Sequence, residues 1–181
     1  MPGRMGRRKQ PVTVCGGINL DIHAQTEAEQ VILHTSNRAR VYLSGGGVGR
    51  NIAVDLAALG VPVRLLGAVG DDSLSERLLR ETDATGVEIS DVMRLPGGGA
   101  GMYLAVLDGQ GELHVAVADM RAADATDPSY FDRLRGRLAR SSLIVADTNL
   151  PVGSLQRILD IAGDAAVPVI LEPVSAQKAE K

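Results

Sequence analysis

The sequence predicts an α/β fold in which helices cover both faces of a mostly parallel sheet. Short apolar runs rich in Val, Ile and Leu end in glycine or polar residues, as buried strands do. These runs alternate with stretches that carry helix caps and helix stops. The order strand–helix–strand–helix–strand implies parallel strands joined by crossovers. A chain of 181 residues is long enough to bury one sizeable core.

The elements of the first half follow from local signals. Residues 12–15 form a short β-rich run that stops at Gly16-Gly17, as expected for a buried strand. Gly60 and Pro62 end one helix, and Asp71-Asp72-Ser73 begins another. The first half is therefore predicted to contain a strand at 12–15, a hairpin of 31–34 and 38–43, a helix at 52–59, a strand at 63–69 and a helix at 74–85.

In the second half, the turn Asp108-Gly109-Gln110-Gly111 between two β-like runs predicts a hairpin. Pro128 suits the first turn of a helix. The predicted elements are β-like runs at 87–89, 92–95, 101–107 and 113–118, a helix at 128–140, a strand at 143–146, a helix at 152–165 and a strand at 167–171. The last strand should lie deep in a parallel sheet. Either the sheet has its edge there, or the chain is the front part of a longer protein.

Composition excludes several classes of protein. The 19 basic and 22 acidic residues give a net charge of −3, and aromatic residues make up 2%, so neither a basic nor an aromatic nucleic-acid surface is expected. The single Cys15 excludes a disulfide framework, and the histidines are too scattered to indicate a metal site. No apolar run is long enough to span a membrane. We expect a cytoplasmic protein whose residues 1–11 form a basic disordered tail.

Two polar segments at strand ends are candidate ligand loops. Ser44 to Gly49 places a glycine cluster directly before a helix, where backbone N–H groups can approach a polar ligand. Arg50 and Asn51 stand where a Walker A loop needs Lys and Ser or Thr, and the third glycine of a dinucleotide fingerprint is missing. A ligand loop and a tight structural turn both fit this spacing. Asp21 follows the first strand and either binds vicinal sugar hydroxyls or caps a loop.

These segments together resemble the N-terminal half of the PfkB, or ribokinase-like, sugar kinases. The residues that carry the resemblance are Gly16-Gly17-x-Asn19-x-Asp21, Gly45-Gly46-Gly47-x-Gly49-x-Asn51-x-Ala53, Leu56-Ala57-x-Leu59-Gly60 and Gly67-x-Val69-Gly70-x-Asp72. The sequence departs from the family at Leu74-Ser75, where a glycine is usual. Within the family it is similar to pseudouridine kinases, through residues 103–120, the strand end Asp147-Thr148-Asn149-Leu150 and the segment Glu172-Pro173-Val174-Ser175-Ala176-Gln177-Lys178.

The resemblance implies a three-layer α/β/α ribokinase-like fold with a small β-sheet lid, of which this sequence lacks the C-terminal part. Residues 12–181 would be the N-terminal portion of the kinase domain, with lid strands at about 31–43 and 92–118. The implied reaction moves the γ-phosphoryl group of ATP, with Mg²⁺, to a sugar or nucleoside hydroxyl. The implied substrate is pseudouridine, and a homodimer through the lid strands is an implied partner.

The resemblance also assigns roles to residues. Asp21 and Asn51 would hold the ribose hydroxyls, and Asn19 would hold the loop that carries Asp21. The backbone of Gly45, Gly46 and Gly47 would pack against the sugar. Asp147 and Asn149 would order strand-end loops near the site, and Lys178 would face the phosphate path.

Two motifs of the family are missing from the sequence. It contains neither the D-T-x-G-A-G-D segment, which supplies the anion hole and the catalytic Asp, nor the N-x-x-E segment associated with magnesium. No catalytic residue is therefore assigned, and binding of ATP and Mg²⁺ by this chain is not expected. We expect an inactive fragment that holds the substrate-binding part. The alternatives are a kinase for another nucleoside or a ribose-like sugar, and a catalytically dead sugar-binding or dimerising module.

Overall fold

The computed structural model describes residues 10–180. The predicted basic tail therefore lies outside the described residues, except for Gln10 and Pro11. No helix among residues 10–180 is long and apolar enough to cross a membrane.

A parallel sheet of four strands forms the centre of the fold, in the order β10-β9-β1-β4. Its strands are β1 (Val12–Cys15), β4 (Val63–Leu66), β9 (Leu143–Asp147) and β10 (Val169–Glu172). β1 lies between β4 and β9, and all four of its residues are buried. Buried parallel strands are continuous apolar runs, which is why the sequence predicted the four strands of this sheet.

Helices cover both faces of this sheet, as predicted. They are α1 (Val48–Ala58), α2 (Ser73–Asp83), α4 (Pro128–Arg133), α5 (Arg135–Leu138) and α6 (Val152–Ala165). A further short helix, α3 (Arg121–Asp124), contributes no residue to the two cores that these helices form with the sheet. One apolar core joins Val14 and Leu65 of the sheet to residues of α1 and α2. A second core joins Ile144 and Ala146 to residues of α4, α5 and α6. The three-layer α/β/α arrangement is therefore confirmed.

A second sheet stands beside the first, in the order β3-β2-β7-β8. Its strands are β2 (Asn19–Thr26), β3 (Ala39–Gly46), β7 (Gly101–Leu107) and β8 (Leu113–Asp119). β2 pairs with β3 antiparallel and with β7 parallel, while β7 and β8 form the hairpin predicted from the Asp108–Gly111 turn. β2 begins four residues after β1 ends, so both sheets meet at the glycine-rich segment between them.

The predicted hairpin of 31–34 and 38–43 is wrong. Residues 31–34 are not a strand, because the side chain of Asn37 closes a loop by bonding the backbone N–H and carbonyl of Ile32 at 2.9 and 2.8 Å. The actual partner of β3 is β2, which the sequence prediction treated as a ligand loop. Its polar residues Asn19, Asp21, His23 and Gln25 alternate with apolar ones, and this period of two is the signal that was missed.

The predicted strand at 63–69 is two strands, because the chain changes sheets at Gly67. There the hydroxyl of Tyr130 accepts from the Gly67 N–H at 3.1 Å. β5 (Ala68–Gly70) then pairs in parallel with β6 (Met93–Leu95) in a small third sheet. The run at 92–95 therefore does not belong to the second sheet, and the lid range of 92–118 stays a prediction. The run at 87–89 forms an isolated bridge between Arg64 and Glu88.

Helix limits also differ from those predicted. α1 begins at Val48 and not at residue 52, because Gly47 has a φ of 91° that turns the chain directly into the helix. The predicted helix at 128–140 is broken at Leu134, where φ and ψ are −101° and 9°. Gly136 follows within the second piece and is a poor helix former. A 3₁₀ turn at Lys178–Glu180 follows β10, whose Ile170 and Leu171 are 54% and 48% exposed at the sheet edge.

Candidate functional site

A cavity of about 320 Å³ lies where the carboxyl ends of the central strands meet the second sheet. Its lining residues come from five places in the chain: β2, the start of α1, the β7–β8 hairpin, the segment after β9 and the segment after β10. They are Asn19, Asp21, Gly47, Val48, Asn51, Tyr103, Ala118, Met120, Asn149, Val174 and Lys178. Ligands of α/β sheets bind beyond the carboxyl ends of strands, so this cavity is the candidate site.

Strand register explains why the second sheet contributes polar residues to the cavity. Asp21 pairs with Tyr103 across β2 and β7, and Tyr103 pairs with Ala118 across β7 and β8. Paired residues point to the same face of a sheet, and Asn19 lies two residues from Asp21 on that face. Asn19 is therefore a strand residue, not part of a loop, and its amide contacts the sulfur of Met120 at 3.6 Å.

Asp21 is the half-buried carboxylate of the cavity. Burial raises its pKa, and the charges of His23 and Arg50 oppose that shift. A Cβ at Gly46 would overlap the Asp21 carboxyl group from the neighbouring strand, so the glycine makes room for it. The carboxylate can accept hydrogen bonds from vicinal hydroxyls, and burial strengthens such bonds.

The glycine cluster has a different use at each position. Gly47 is among the residues that line the cavity, whereas Gly45 and Gly46 are not. A Cβ at Gly45 would lie 2.6 Å from Cζ of Arg50, and one at Gly47 would lie 2.7 Å from the carbonyl carbon of Gly17. The three glycines thus let neighbouring protein groups pack closely, and Gly47 also turns the chain so that Asn51 stands in the first turn of α1.

Asp147 lies behind the cavity and connects the segments that form it. Its Oδ2 accepts the N–H of Gly17 at 2.8 Å and the N–H of Gly49 at 2.7 Å, and its Oδ1 accepts the N–H of Asn149 at 2.9 Å. Burial raises the pKa of Asp147, and these three backbone donors oppose the shift. The carboxylate therefore links the loop after β1, the start of α1 and the end of β9.

Asn149 and Lys178 form the far wall. The Lys178 ammonium group donates to Oδ1 of Asn149, and both side chains line the cavity. Asp147, Asn149 and Lys178 thus lie near one another, although Asp147 is not among the lining residues. The roles given to them from the sequence stay predictions. The lining residues absent from the predicted site are Val48, Tyr103, Ala118, Met120 and Val174. Val48, Ala118 and Val174 are apolar residues that no polar motif of the sequence indicates.

The described residues contain no cluster of metal-ligating side chains. Among residues 10–180 no group of three or more His, Cys, Asp or Glu side chains lies close enough to hold one. The predicted absence of a metal site in the sequence remains a prediction.

Comparison with known proteins places the fold in one family. Residues 9–181 match the pfkB family of carbohydrate kinases. The pseudouridine kinase of Escherichia coli is 38% identical over 175 residues, covering 97% of this chain and 55% of that protein. A carbohydrate kinase from Agrobacterium tumefaciens superimposes with a TM-score of 0.84 at 27% identity, covering 94% of this chain and 55% of that one.

A putative sugar kinase from Clostridium perfringens gives a TM-score of 0.83 at 30% identity, covering 96% of this chain and 54% of that one. The chain thus spans about half the length of the relatives that it matches. Because the family match extends over nearly all of its residues, the chain belongs to the PfkB family of carbohydrate kinases.

Proposed function

We propose that the protein phosphorylates a hydroxyl group of a nucleoside or sugar, with pseudouridine as substrate and pseudouridine 5'-phosphate as product. The observation that carries this proposal is the meeting of Asp21 and Asn51 in one cavity. A carboxylate that accepts and an amide that donates are complementary to the vicinal hydroxyls of ribose. The 38% identity to a pseudouridine kinase supports the choice of nucleoside.

The size and polarity of the cavity support a ribonucleoside. About 320 Å³ is at the lower end of the range for small-molecule sites. Apolar Val48, Tyr103 and Met120 offer contact area for a ring, while Asn149 and Lys178 offer polar groups on the far side. A free pentose would leave part of this wall unused. We also propose that Lys178 faces the path of the transferred phosphoryl group.

The proposed phosphoryl donor is ATP, and the reaction is an in-line displacement. The 5'-hydroxyl oxygen forms a bond to the γ-phosphorus, the bond to the bridging oxygen of ADP breaks, and the hydroxyl proton passes to a base. The family's Asp for this proton belongs to the D-T-x-G-A-G-D segment, which the 181 residues do not contain. We therefore propose that the 181 residues alone bind the nucleoside without phosphorylating it, and that the phosphorylation proposed above requires this family segment.

We also propose that the second sheet covers the substrate as a lid and pairs with a second copy of the chain. Its face opposite Asp21 carries apolar side chains at all eight central positions of the four strands. These residues, the apolar face, are Ile22, Ala24, Val41, Leu43, Leu104, Val106, Val115 and Val117. Another copy supplies a matching uncharged face, whereas an exposed patch of this size is unusual for a monomer.

The experiment that tests the function is binding of pseudouridine to the 181-residue chain, measured by calorimetry, with uridine, adenosine and ribose in parallel. We expect the tightest binding for pseudouridine and no ATP-dependent product. Asp21→Asn should weaken binding at least tenfold, because a hydrogen bond to a charged group is lost. The matched control is Asp55→Asn, an exposed acid on α1.

Three outcomes would count against the proposal. A folded chain that binds none of the four compounds would contradict a sugar site. Preference for another compound would refute pseudouridine as substrate and leave the family reaction in place. Product formation would contradict the proposed inactivity of this chain.

A further inference from the structure

Arg50 holds together the residues around the cavity without lining it. Its Nη1 donates to the carbonyl of Gly45 at 3.0 Å and to Oδ1 of Asn51 at 3.2 Å. Its Nε donates to the hydroxyl of Thr82 on α2 at 3.2 Å. The Thr82 hydroxyl is buried and is itself anchored to the carbonyl of Leu78 at 2.8 Å. The guanidinium group therefore has a fixed position between β3, α1 and α2.

The contact with Asn51 has a direction that chemistry alone determines. A guanidinium group has donors and no acceptor, so the atom of Asn51 that faces Arg50 must be the carbonyl oxygen Oδ1. Without such a partner, an exposed asparagine can turn either end of its amide toward a ligand. With Oδ1 engaged, the Nδ2 group of Asn51 is the one left for a ligand in the cavity.

We propose that Arg50 is a positioning residue, which fixes the side-chain amide of Asn51 so that Asn51 donates to the substrate while Asp21 accepts from it. This inference rests on the proposed function for its substrate, but the orientation of the amide follows from the contacts above. A sugar hydroxyl can donate one hydrogen bond and accept another at the same time. A fixed donor beside a fixed acceptor therefore selects a ligand with two neighbouring hydroxyls and disfavours one with two acceptors.

Gly45 provides a second route to the same perturbation. Because its Cβ would lie 2.6 Å from Cζ and 2.7 Å from Nη2 of Arg50, Gly45→Ala should displace the guanidinium group. Gly45 lies in the extended strand β3, where alanine is accepted by the backbone. Arg50→Met and Gly45→Ala should therefore have the same effect on Asn51, although one removes the arginine and the other keeps it.

The first readout is the motion of the Asn51 side-chain amide, measured by ¹⁵N relaxation and assigned with Asn51→Ala. We expect a rigid amide in the unaltered chain and a mobile one in Arg50→Met and Gly45→Ala. The matched control is Arg80→Met, an exposed arginine on α2, which should leave the amide rigid. An amide that is equally mobile in the unaltered chain and in Arg50→Met would overturn the proposal. This readout needs no ligand.

The second readout is affinity for pseudouridine. It is measured well above the pH range in which Asp21 titrates, so that removing the charge of Arg50 does not change the ionisation of Asp21. We expect Arg50→Met to weaken binding about tenfold, the size of one charge-assisted hydrogen bond. In the Asn51→Ala background, Arg50→Met should lower the affinity by less than about twofold, because the amide that Arg50 positions is absent. Equal costs in both backgrounds would show that Arg50 acts on the fold in general and would refute the positioning role.

The two readouts separate the failure of this inference from the failure of the proposed function. If the unaltered chain binds no sugar, the proposed function fails, and the amide measurement still decides whether Arg50 fixes Asn51. If pseudouridine binds normally to Arg50→Met, the positioning role is wrong and the proposed function stands.

Discussion

The glycine motif indicates where the candidate site lies, but it does not explain what each of its residues does. The glycine cluster predicted either a ligand loop or a tight turn, and the structure shows that Gly45 and Gly46 instead make room for Arg50 and Asp21. No spacing rule could have predicted this, because Asp21 lies on a neighbouring strand whose register is set by pairing over eight residues. The pattern pointed to a segment that lines the candidate cavity, whereas the purpose of each glycine depends on contacts across strands.

Gly46→Ala tests the space that Asp21 needs. The added Cβ would overlap the carboxyl group, so Asp21 must rotate away from the cavity. We expect pseudouridine affinity to fall at least tenfold, because the carboxylate no longer meets the hydroxyls. The control is Gly163→Ala in α6, where nothing lies within 4 Å of the new atom, and it should leave affinity unchanged. Normal binding by Gly46→Ala would mean that Asp21 does not touch the ligand.

The raised pKa of Asp21 predicts a pH dependence of binding. The ionised carboxylate accepts from hydroxyls more strongly than the protonated group does, and burial raises the pKa of Asp21 above the usual value for Asp despite His23 and Arg50. Affinity should therefore be constant at neutral pH and fall as the pH drops through that raised pKa, earlier than an exposed Asp would allow. Titration calorimetry from neutral to acid pH measures this. Asp21→Asn should show no such acid limb, and an identical limb in the variant would assign it to another group.

At the scale of the elements, prediction succeeded where the environment of a segment is uniform. β1, β9 and the helices α1, α2 and α6 were predicted because buried strands and amphipathic helices follow simple patterns. β2 was missed because its alternation starts within the glycine-rich motif that had been assigned to a ligand. The role of Asp147 could not be predicted in detail either, since its partners Gly17 and Gly49 lie 130 and 98 residues away in sequence.

Asp147→Asn tests how this carboxylate joins the elements around the site. An asparagine keeps one acceptor oxygen, so its NH₂ group must face at least one backbone donor that Asp147 now satisfies. A buried unsatisfied group costs about 1–3 kcal/mol, and we expect that loss in the free energy of unfolding measured with denaturant. Binding should also weaken, because Gly49 lies in the first turn of the helix that carries Asn51.

The control for this variant is Asp83→Asn, an exposed residue at the end of α2. A surface change of this kind should alter the free energy of unfolding by less than about 0.5 kcal/mol. Equal stability of Asp147→Asn and Asp83→Asn would show that the three hydrogen bonds do not hold the site together.

At the scale of the whole molecule, the two sheets have different surroundings and contribute different parts of the cavity. The central sheet is covered on both faces and supplies strand ends to the site. The second sheet turns one face to the cavity and leaves the apolar face partly exposed, with Val41 58% and Val117 60% accessible. The sequence predicted a small extra sheet but not its membership, because pairing between β2 and β7 joins segments about eighty residues apart.

Val117→Lys tests whether a second copy covers the apolar face. We expect the unaltered chain to sediment at twice its mass of 19.0 kDa and the variant to sediment as a monomer, because a lysine within an apolar contact is costly to bury. The matched control is Tyr42→Lys, which places the same charge on the opposite face of the same sheet, where Tyr42 is 51% exposed.

Val41→Lys, on the other edge strand, should repeat the result if Val117→Lys fails to fold. An unaltered chain that stays monomeric at tens of micromolar, or variants that still dimerise, would refute the pairing. In that event the exposed valines of β3 and β8 require a different partner.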